Sequence, residues 1–469
     1  MTFLKKHLDL WIIISFILLY AVAASLVSLN RYWQVNSFWY DFGILDTTIW
    51  KLSHLQLPYI EQLKPPSGLV VWGDHFNPSI IMLTPIYWLT DRPEAILIAQ
   101  VIFVSSSGLI GYLLSKKISK NILLSFALTF AYLGYVGIQN ALFTDIHNIV
   151  FSLPFLMAAL YFLWQKKWTL YFLSLFLTIG FQESLAGVAF GIGIYILLRK
   201  DKNLRVGLIT IIISIIWAFL SAKIIMPYFL EAPYKYSPHI PLDPFTFIQE
   251  LFLPFIKTKT IFLSFLTFGF LPVFSIASLP MIFENFIERF VFNSAATRWD
   301  LGFHYNAVLS PLLLTASLET LYIYHLLKHK RFIQILSVSI ILIVVFLHRF
   351  YLHGPLLLAT NKVFYEDTAK AVFIRNFIDK IPRDGLIMTQ NNIASHLTHY
   401  HVILLNKDFE AIKPDYIVLD TRSGQNGNNF FPLHNAVEGF IASVSSSPNY
   451  NMKKISDTEF IFTRKTSAK

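Results

Sequence analysis

Long apolar runs, separated by short basic clusters, constrain this chain more than any other feature of its sequence. The first run, residues 10–29, is about as long as an α-helix must be to cross a bilayer. Of all residues, 55% are hydrophobic and only 14% are charged, and the mean hydropathy is +0.54. Soluble proteins carry about 25% charged residues. The sequence therefore predicts a mainly α, polytopic membrane protein whose first run is a retained anchor helix.

The basic residues predict the orientation of the chain in the membrane. The net charge of +10 does not indicate a nucleic-acid partner, because most basic residues lie in short clusters between apolar runs, as in cytoplasmic loops. These clusters are Lys5-Lys6, Lys116-Lys117-Lys120, Lys166-Lys167, Arg199-Lys200-Lys202-Arg205 and Lys328-Lys330-Arg331. If all of them are cytoplasmic, residues 30–93, 141–147, 181–184 and 227–258 face outward. The chain has no cysteine, which excludes disulfides and thiolate metal sites.

We expect about eleven transmembrane helices in a multi-span domain of residues 1–352. The predicted spans are 10–29, 94–115, 122–140, 148–164, 168–182, 185–198, 205–226, two short helices within 258–290 broken near Leu271-Pro272, 303–327 and 332–351. The apolar stretch 77–90 is too short to span and contains proline, so we place it along the outer interface. The outer loop 30–93 then carries interfacial helices.

After residue 353 the apolar runs shorten to strand length, as in "GLIMTQ", "HVILLN", "DYIVLD" and "EFIFTR". A helix is predicted to open this region, with Asp367 as its N-cap and Val372, Phe373, Phe377 and Ile381 at helical spacing. Residues 353–469 therefore predict a small α/β domain on the extracytoplasmic side.

Polar residues gather in the segments that this topology places outside. Ionisable groups near membrane depth are costly, so they usually mark a site or a water-filled cavity. The candidates are Asp41 and Asp46 in the first outer loop, Asp74 and His75 in "WGDHFNP", Asp145 and His147 in "FTDIHNIV", Glu183 in "FQES", and Arg298, His304 and Tyr305 in "TRWDLGFHYN". Their convergence on one face predicts a cavity with several carboxylates, imidazoles and an arginine.

Several of these residues also have structural interpretations. Asp41 is suited to a helix N-cap, and Asp46 to an exposed position on an interfacial helix. Glu183 could be the buried partner of a cation, and His304-Tyr305 an aromatic anchor at the interface. His396, His399 and His401 are spaced loosely like metal ligands, but no carboxylate or cysteine pattern accompanies them, so we interpret them as a loop-to-strand junction.

An outward-facing cavity of carboxylates and basic groups suits glycosyl transfer from a polyprenyl-phosphate donor. One carboxylate can act as general base on an acceptor hydroxyl, while a basic group stabilises the departing phosphate. A donor carried on a lipid reaches such a cavity from the bilayer. The partners implied are this lipid donor and the surrounding membrane lipids; the sequence identifies no protein partner.

The order of the motifs "YDFGILD", "GDHF", "TDIHN", "FQES" and "HYNAVLSPLL" over residues 10–420 resembles a bacterial and archaeal family of predicted membrane proteins of unknown function. That family is similar in layout to the GT-C type of membrane glycosyltransferases. The resemblance implies that the chain lies in a bacterial or archaeal cytoplasmic membrane. It also implies that Asp41 matches the first-loop acid and Asp145 the second-loop acid. The first loop lacks an adjacent acidic pair, which weakens the case for a metal-assisted mechanism, and a divalent metal is the one cofactor that the resemblance brings into consideration.

Two other functions compete with an inverting glycosyltransferase. A transporter or flippase for a lipid-linked solute would use the same polar groups to line a pathway, although inverted repeats would be expected and only one interrupted segment is found. A non-catalytic envelope scaffold would scatter its polar clusters over the surface. The leading hypothesis assigns Asp41 as the base, Asp145, His75 and His147 to orienting the acceptor or an ion, and Arg298 to the donor phosphate.

Overall fold

The computed structural model describes residues 8–293, 295–431, 433 and 436–465, and these residues form two compact units. The first unit comprises Met1–Ser28, described from Leu8, together with His75–Ile80 and Leu97–Thr360. The second comprises Leu29–Asp74, Ile81–Ile96 and Asn361–Lys469, described as far as Lys465. Lys5 and Lys6, one of the predicted cytoplasmic clusters, lie outside the described residues.

Among the described residues, five helices are long and apolar enough to cross a membrane, and a sixth span results if one bent pair is counted. The five are Leu8–Trp33, Glu94–Ser119, Leu204–Leu230, His304–Ile323 and Lys330–Tyr351, and the pair is Ile122–Gly134 with Val136–Phe143, bent by 43°. These helices agree with a multi-pass membrane protein. The larger number of about eleven spans stays a prediction.

The remaining helices of the first unit are shorter and connect or pack between these spans. They are Asn148–Phe151, Leu153–Trp164, Trp168–Ile179, Leu185–Leu198, Pro244–Phe252, Phe255–Thr267 and Leu279–Phe290, with 3-10 turns at Leu271–Phe274, Ile276–Ser278, Ala296–Arg298, His304–Asn306, Leu326–Lys328 and Pro355–Thr360. The chain is thus broken near Leu271-Pro272, as the sequence predicts.

Local sequence explains where helices begin and how closely they pack. Asn121 and Asn203 are N-caps whose side chains accept hydrogen bonds from the backbone N–H groups of Leu124 and Val206. Between helices Leu185–Leu198 and Leu204–Phe219, a Cβ on Gly193 would lie 3.2 Å from the Gly207 carbonyl oxygen. Small residues of this kind let helix backbones approach closely in a membrane.

Helix Leu279–Phe290 packs on helix Leu185–Leu198 in the same way. A Cβ on Gly191 would lie 2.7 Å from the Cα of Met281, so only glycine fits without displacing the backbone. Met281, Ile282 and Phe286 are fully buried on one side of helix Leu279–Phe290. This close contact fixes the position of the helix's other, polar side.

The second unit contains two sheets. Strands β1 (Tyr59–Ile60) and β2 (Leu69–Val70) form an antiparallel pair. The second sheet consists of β3 (Ile387–Thr389), β4 (Val402–Leu404), β5 (Tyr416–Asp420), β6 (Tyr450–Lys454) and β7 (Glu459–Arg464) in the order β4-β3-β5-β7-β6. Strands β4, β3 and β5 are parallel, whereas β7 is antiparallel to β5 and β6. Strands β3, β4, β5 and β7 fall in the four segments predicted from the sequence.

Helices flank these strands along the chain. They are Ile44–Ser53, Ile86–Leu89, Lys362–Lys370, Val372–Ile378, Asn391–Ala394, Phe409–Ile412 and Val437–Ser446, with a π-helical turn at Trp39–Gly43 and 3-10 turns at Glu61–Leu63, Val71–Gly73 and Gly427–Phe430. The predicted N-cap at Asp367 is wrong. The helix begins earlier than predicted, at Lys362, because the Asn361 side chain is its N-cap and accepts a hydrogen bond from the backbone N–H of Val363. Asp367 therefore lies inside helix Lys362–Lys370.

Strands β3, β4 and β5 of the five-stranded sheet are buried on both faces, because their residues alternate between two apolar clusters, whereas most of strand β6 is exposed. Ile387 of β3 belongs to one cluster and the next residue, Met388, to the other. The first cluster also includes Val35, Trp39, Ile60 and Val71 of the first outer loop. Loop and C-terminal residues thus share one core within the second unit. The predicted domain division at residue 353 stays a prediction.

Stretch 77–90, predicted to lie along the interface, is not one continuous helix. It forms a 3-10 segment, Pro78–Leu83, and a short helix, Ile86–Leu89. Neither is long enough to cross a bilayer.

Candidate functional site

In the first unit, a polar cavity of about 330 Å³ collects three of the residues predicted from the sequence. His75, Glu183 and Arg298 line it. His75 Nδ1 lies 2.9 Å from Glu183 Oε1, and the backbone N–H of Phe76 donates to Glu183 Oε2 at 3.1 Å. Both carboxylate oxygens are therefore engaged, and Glu183 fixes the orientation of the histidine.

Two tyrosines of the loop after helix Leu204–Leu230 also line the polar cavity. The Tyr236 ring stacks on the His75 ring, with centroids 5.0 Å apart and planes within 2° of parallel. Burial, together with the nearby carboxylates of Glu183 and Glu288, raises the pKa of Tyr234 well above its ordinary value. The Tyr234 hydroxyl therefore stays protonated near neutral pH and can donate a hydrogen bond.

The opposite wall of the polar cavity comes from helix Leu279–Phe290. Glu284 and Glu288 stand one helical turn apart on its polar side. Arg298 Nη1 lies 3.0 Å from Glu288 Oε1, and the Arg298 guanidinium also lies over the Tyr305 ring, 4.9 Å from its centroid. Arg289 donates two hydrogen bonds to the Arg298 backbone carbonyl, at 3.0 and 2.6 Å, which holds the arginine in place.

Glu284 differs from the other carboxylates of the cavity. Its Oε2 is buried and has no hydrogen-bond partner among the described residues. Its Oε1 fits against Gly187, where an added Cβ would come within 1.8 Å of it. A glycine at position 187 therefore makes room for this carboxylate. An unsatisfied buried carboxylate is costly, which indicates a role other than stabilising the fold.

An apolar groove of about 530 Å³ adjoins the polar cavity. The two share the lining residues Ala186, Gly187, Ala218, Glu284 and Phe292. The groove is lined further by Phe190, Gly191, Ile194, Ser214, Ile215, Pro280, Phe283 and Ile287. Glu284 thus stands where the apolar lining changes to a polar one. Such a junction suits an amphiphile with a long apolar tail and a polar head.

Four other predicted residues lie in a second part of the first unit. The rings of His147 and His304 stack with centroids 3.5 Å apart, and His304 lies 4.0 Å from the Tyr305 ring. The Gln100 side chain accepts from His147 N at 2.9 Å and donates to the Asp145 carbonyl at 2.8 Å. Asp145 is 4% exposed and lines neither the polar cavity nor the apolar groove. Tyr305, beside Arg298, connects this stack to the polar cavity.

Asp145 adopts a strained backbone conformation. Its φ is 88°, in the left-handed region that residues with a side chain rarely adopt. The two hydrogen bonds of Gln100, on either side of Ile146, stabilise this turn. Strain of this kind often accompanies functional positions.

The second unit holds Asp41, Asp46 and Asp74. Asp41 is exposed in the turn Trp39–Gly43, and Gly43 is the N-cap of helix Ile44–Ser53, so Asp41 does not cap that helix. The turn is anchored by Trp39 N, which donates to Asn391 Oδ1 at 2.8 Å. Asp74 is 8% exposed and follows the 3-10 turn Val71–Gly73.

Asp46 has no exposed surface, and its carboxylate is surrounded by donors. The Tyr87 hydroxyl donates to Oδ1, and Thr398 Oγ1 donates to Oδ2 at 2.5 Å. His399 Nε2 lies 3.2 Å from Oδ2. In this structure the Asp46 carboxylate is therefore not accessible to a substrate, and it is not on an exposed surface of an interfacial helix.

The three C-terminal histidines have separate partners. The ring of His396 stacks on Tyr32, with centroids 4.1 Å apart, and burial lowers its pKa to about 4. His399 contacts Asp46, and His401 Nδ1 lies 2.8 Å from Glu61 Oε1. No group of three or more His, Cys, Asp or Glu side chains within the described residues is arranged to hold a metal ion.

Sequence reasoning missed Glu284, Glu288 and the two tyrosines of the polar cavity. A signal for the glutamates was present, because two carboxylates spaced i and i+4 interrupt an otherwise apolar stretch, "LPMIFENFIERF". That stretch falls in the second of the two short membrane helices predicted within 258–290. The tyrosines lie in a long loop that carries no comparable pattern.

Comparison with known proteins agrees with this architecture. A family model described as predicted membrane protein (DUF2079) matches residues 31–454. The chain belongs to this family. The resemblance to a family of predicted membrane proteins of unknown function is thereby confirmed. A search of curated proteins finds no match.

Among solved structures, the fold is similar to the crystal structure of ArnT from Cupriavidus metallidurans bound to undecaprenyl phosphate. The TM-score is 0.59 at 12% sequence identity, and the match covers 96% of this chain and 97% of that chain. The chain therefore shares its fold with ArnT over nearly its whole length. Identity this low shows a shared fold and leaves the reaction to be argued from the site.

Proposed function

We propose that the protein is a membrane glycosyltransferase that moves a sugar from a polyprenyl-phosphate donor to an acceptor at the outer face of the membrane. The observation that carries this proposal is the apolar groove of about 530 Å³ that shares five lining residues with the polar cavity. A polyprenyl chain matches the groove, and the phosphate and sugar match the cavity. The undecaprenyl phosphate bound to ArnT gives this assignment independent support.

The reaction requires a base, an acceptor hydroxyl and a departing phosphate. The base takes the hydroxyl proton as the acceptor oxygen attacks the anomeric carbon. The bond between that carbon and the phosphate oxygen breaks, and its electron pair leaves with the polyprenyl phosphate. Attack opposite the leaving group inverts the anomeric configuration.

Within this proposal Asp41 is the base and Arg298 stabilises the phosphate. Asp41 is an exposed carboxylate on a turn anchored by a backbone hydrogen bond. Arg298 lines the polar cavity, and its backbone is clamped by Arg289. His75, Asp145 and His147 orient the acceptor or an ion. A divalent metal cofactor remains open, and we place residues 353–469 on the extracytoplasmic side.

The groove assignment is tested with undecaprenyl phosphate and the full chain in nanodiscs. Ala218 lines both groove and cavity and is exposed, so Ala218→Trp should fill the groove without disturbing the core. We expect binding, measured by native mass spectrometry, to weaken at least about tenfold. Ile212→Trp is the matched control, because Ile212 is 53% exposed on the same helix and lines no part of the groove.

Two results would count against the proposal. Equal binding of undecaprenyl phosphate by wild type and Ala218→Trp would remove the groove assignment. Tight binding without transfer of a labelled sugar from a polyprenyl-phosphate donor to a membrane extract would favour the flippase alternative.

A further inference from the structure

A second cavity of about 470 Å³ adjoins the polar cavity on the side formed by Tyr236, Phe292 and Asn293, which line both. It is lined further by Lys235, Ser237, His239, Glu250, Leu253, Pro254, Lys257, Phe290, Val291 and Trp299. We refer to it as the basic cavity, because the described side chains that line it include two lysines and one histidine against one glutamate. The polar cavity, by contrast, is lined by three glutamates, one arginine and one histidine.

Lys257 is the decisive residue of the basic cavity. It is only 3% exposed, yet within the described part of the chain no carboxylate lies within ion-pair distance of its ammonium group. The ammonium donates to the backbone carbonyls of Glu250 and Phe290, each at 2.7 Å. These carbonyls belong to the ends of two helices, whose dipoles offset part of the charge.

Among the residues that the structure describes, no acceptor is found for the third proton of the Lys257 ammonium. The group lies over the Trp299 ring, 4.2 Å from its centroid, which supports the charge without neutralising it. A buried cation in a cavity wall is stabilised by an anion in that cavity. Phosphoryl oxygens are acceptors suited to it.

Two further basic side chains stand at the rim. Lys235 and His239 are exposed, and the Lys235 ammonium lies over the Tyr236 ring, 4.8 Å from its centroid. The single glutamate of the cavity, Glu250, has its Oε1 3.9 Å from His239 Nε2. Positive charge therefore exceeds negative charge around this cavity.

We propose that the basic cavity binds a second phosphoryl group, in addition to the donor phosphate that the proposed function assigns to Arg298. This inference rests on the proposed function for the location of the lipid and of the first phosphate. The second phosphoryl group could come from a polyprenyl diphosphate or from a phosphate carried separately. Both sources present the same oxygens to Lys257.

The test compares undecaprenyl phosphate with undecaprenyl diphosphate, each binding to the full chain in nanodiscs. We expect wild type to bind the diphosphate about tenfold more tightly or better, as for a charge-assisted hydrogen bond. Lys257→Met should abolish that preference and leave monophosphate binding unchanged. Lys330→Gln, a change at an exposed lysine that lines none of these cavities, should keep it. If Lys257→Met does not fold, the double variant Lys235→Gln/His239→Gln at the exposed rim replaces it in the same comparison. We then expect this double variant to reduce the preference for the diphosphate.

A second arm uses inorganic phosphate alone, read by thermal shift. If the two lipids bind equally but inorganic phosphate stabilises wild type and not Lys257→Met, the second phosphoryl group is carried separately from the lipid. Because inorganic phosphate carries no lipid, this arm tests anion binding in the basic cavity even if neither lipid binds. Failure of the proposed function can therefore be distinguished from failure of this inference. Equal lipid affinities with no effect of inorganic phosphate would overturn the inference, as would a diphosphate preference that survives in every variant.

Discussion

The polar cavity of the first unit and the Asp46 centre of the second contain the same kinds of side chain but use them differently. Each combines a carboxylate, a histidine and a tyrosine. At Asp46 a tyrosine, a threonine and a histidine surround one carboxylate that has no exposed surface. In the polar cavity three carboxylates face a volume of about 330 Å³, and Glu284 Oε2 has no partner among the described residues.

This difference teaches that residue type alone does not separate structural from chemical carboxylates. Saturation with donors indicates a structural role, because every buried acceptor is then satisfied. A carboxylate that is exposed, or left incompletely bonded beside a cavity, is available to a ligand. Asp41 and Asp46 are five positions apart in sequence and fall on opposite sides of this distinction.

The largest expected effect concerns Asp41. Asp41→Asn keeps the size of the side chain and removes the base, so sugar transfer should fall about 100-fold to 10,000-fold. The melting temperature should not change, since Asp41 is exposed and caps neither neighbouring helix. Transfer of a labelled sugar from a polyprenyl-phosphate donor and a thermal melt in detergent measure the two quantities.

Asp91→Asn is the control for this comparison, because Asp91 is an exposed aspartate of the same unit. It should leave both transfer and stability unchanged. Near-normal transfer by Asp41→Asn would remove Asp41 as the base and shift the proposal to Asp145.

The next effect is on stability and concerns Asp46. Asp46→Ala leaves the hydroxyls of Tyr87 and Thr398 without their acceptor in a buried site, and it removes the carboxylate that lies beside His399. We expect the free energy of unfolding to fall by about 2–4 kcal/mol. Chemical denaturation of the full chain measures this, with Asp91→Ala as the exposed control. An unchanged unfolding free energy would mean that Asp46 does not stabilise the second unit and would reopen a role in binding.

Apolar periodicity predicted much of the architecture but not its assembly. Helices such as Leu8–Trp33 and strands such as β5 lie where the pattern placed them, because local hydrophobicity determines them. The core shared by Val35, Trp39, Ile60 and Val71 with the C-terminal strands could not be predicted, since these four residues are scattered through a loop without periodicity.

The candidate site was predictable in part for the same reason. His75, Glu183 and Arg298 stand out as polar residues between apolar runs, and the structure brings all three to the polar cavity. Glu284 was hidden within a stretch interpreted as membrane-spanning. Whether a carboxylate such as Asp46 is saturated depends on residues hundreds of positions away, here Thr398 and His399, which no local pattern reveals.

A smaller effect sharpens the comparison inside the polar cavity. Glu284→Gln should leave the free energy of unfolding unchanged or raise it by up to about 1 kcal/mol, because it replaces a buried carboxyl group that lacks a full set of partners with an uncharged amide of the same size. Glu183→Gln is the matched change and should lower it by about 1–2 kcal/mol, since both Glu183 oxygens accept hydrogen bonds. Urea titration monitored by tryptophan fluorescence compares the two variants. A larger loss at Glu284 than at Glu183 would contradict the distinction drawn from saturation.

The smallest effect tests a pair at the edge of the second unit, between His401 and Glu61. The hydrogen bond to Glu61 raises the pKa of His401, while burial opposes it. Burial opposes ionisation of Glu61, but the His401 hydrogen bond and the Lys51 charge outweigh it and lower the pKa of Glu61. The histidine's contribution to stability is therefore complete below its ordinary pKa and is lost as the pH rises through the raised value. The glutamate's contribution is present above its ordinary pKa and is lost as the pH falls through the lowered one.

The His401 side chain is 70% exposed, so solvent screens the pair and we expect it to contribute about 0.5 kcal/mol or less to the free energy of unfolding. The difference in melting temperature between wild type and His401→Gln should be largest near about pH 6 and should shrink by about pH 9. The same comparison for His54→Gln, an exposed histidine of the same unit, should show no such trend. A wild-type advantage that grows as the pH rises from about 6 to about 9 would reverse the sign and rule out the ion pair as its cause.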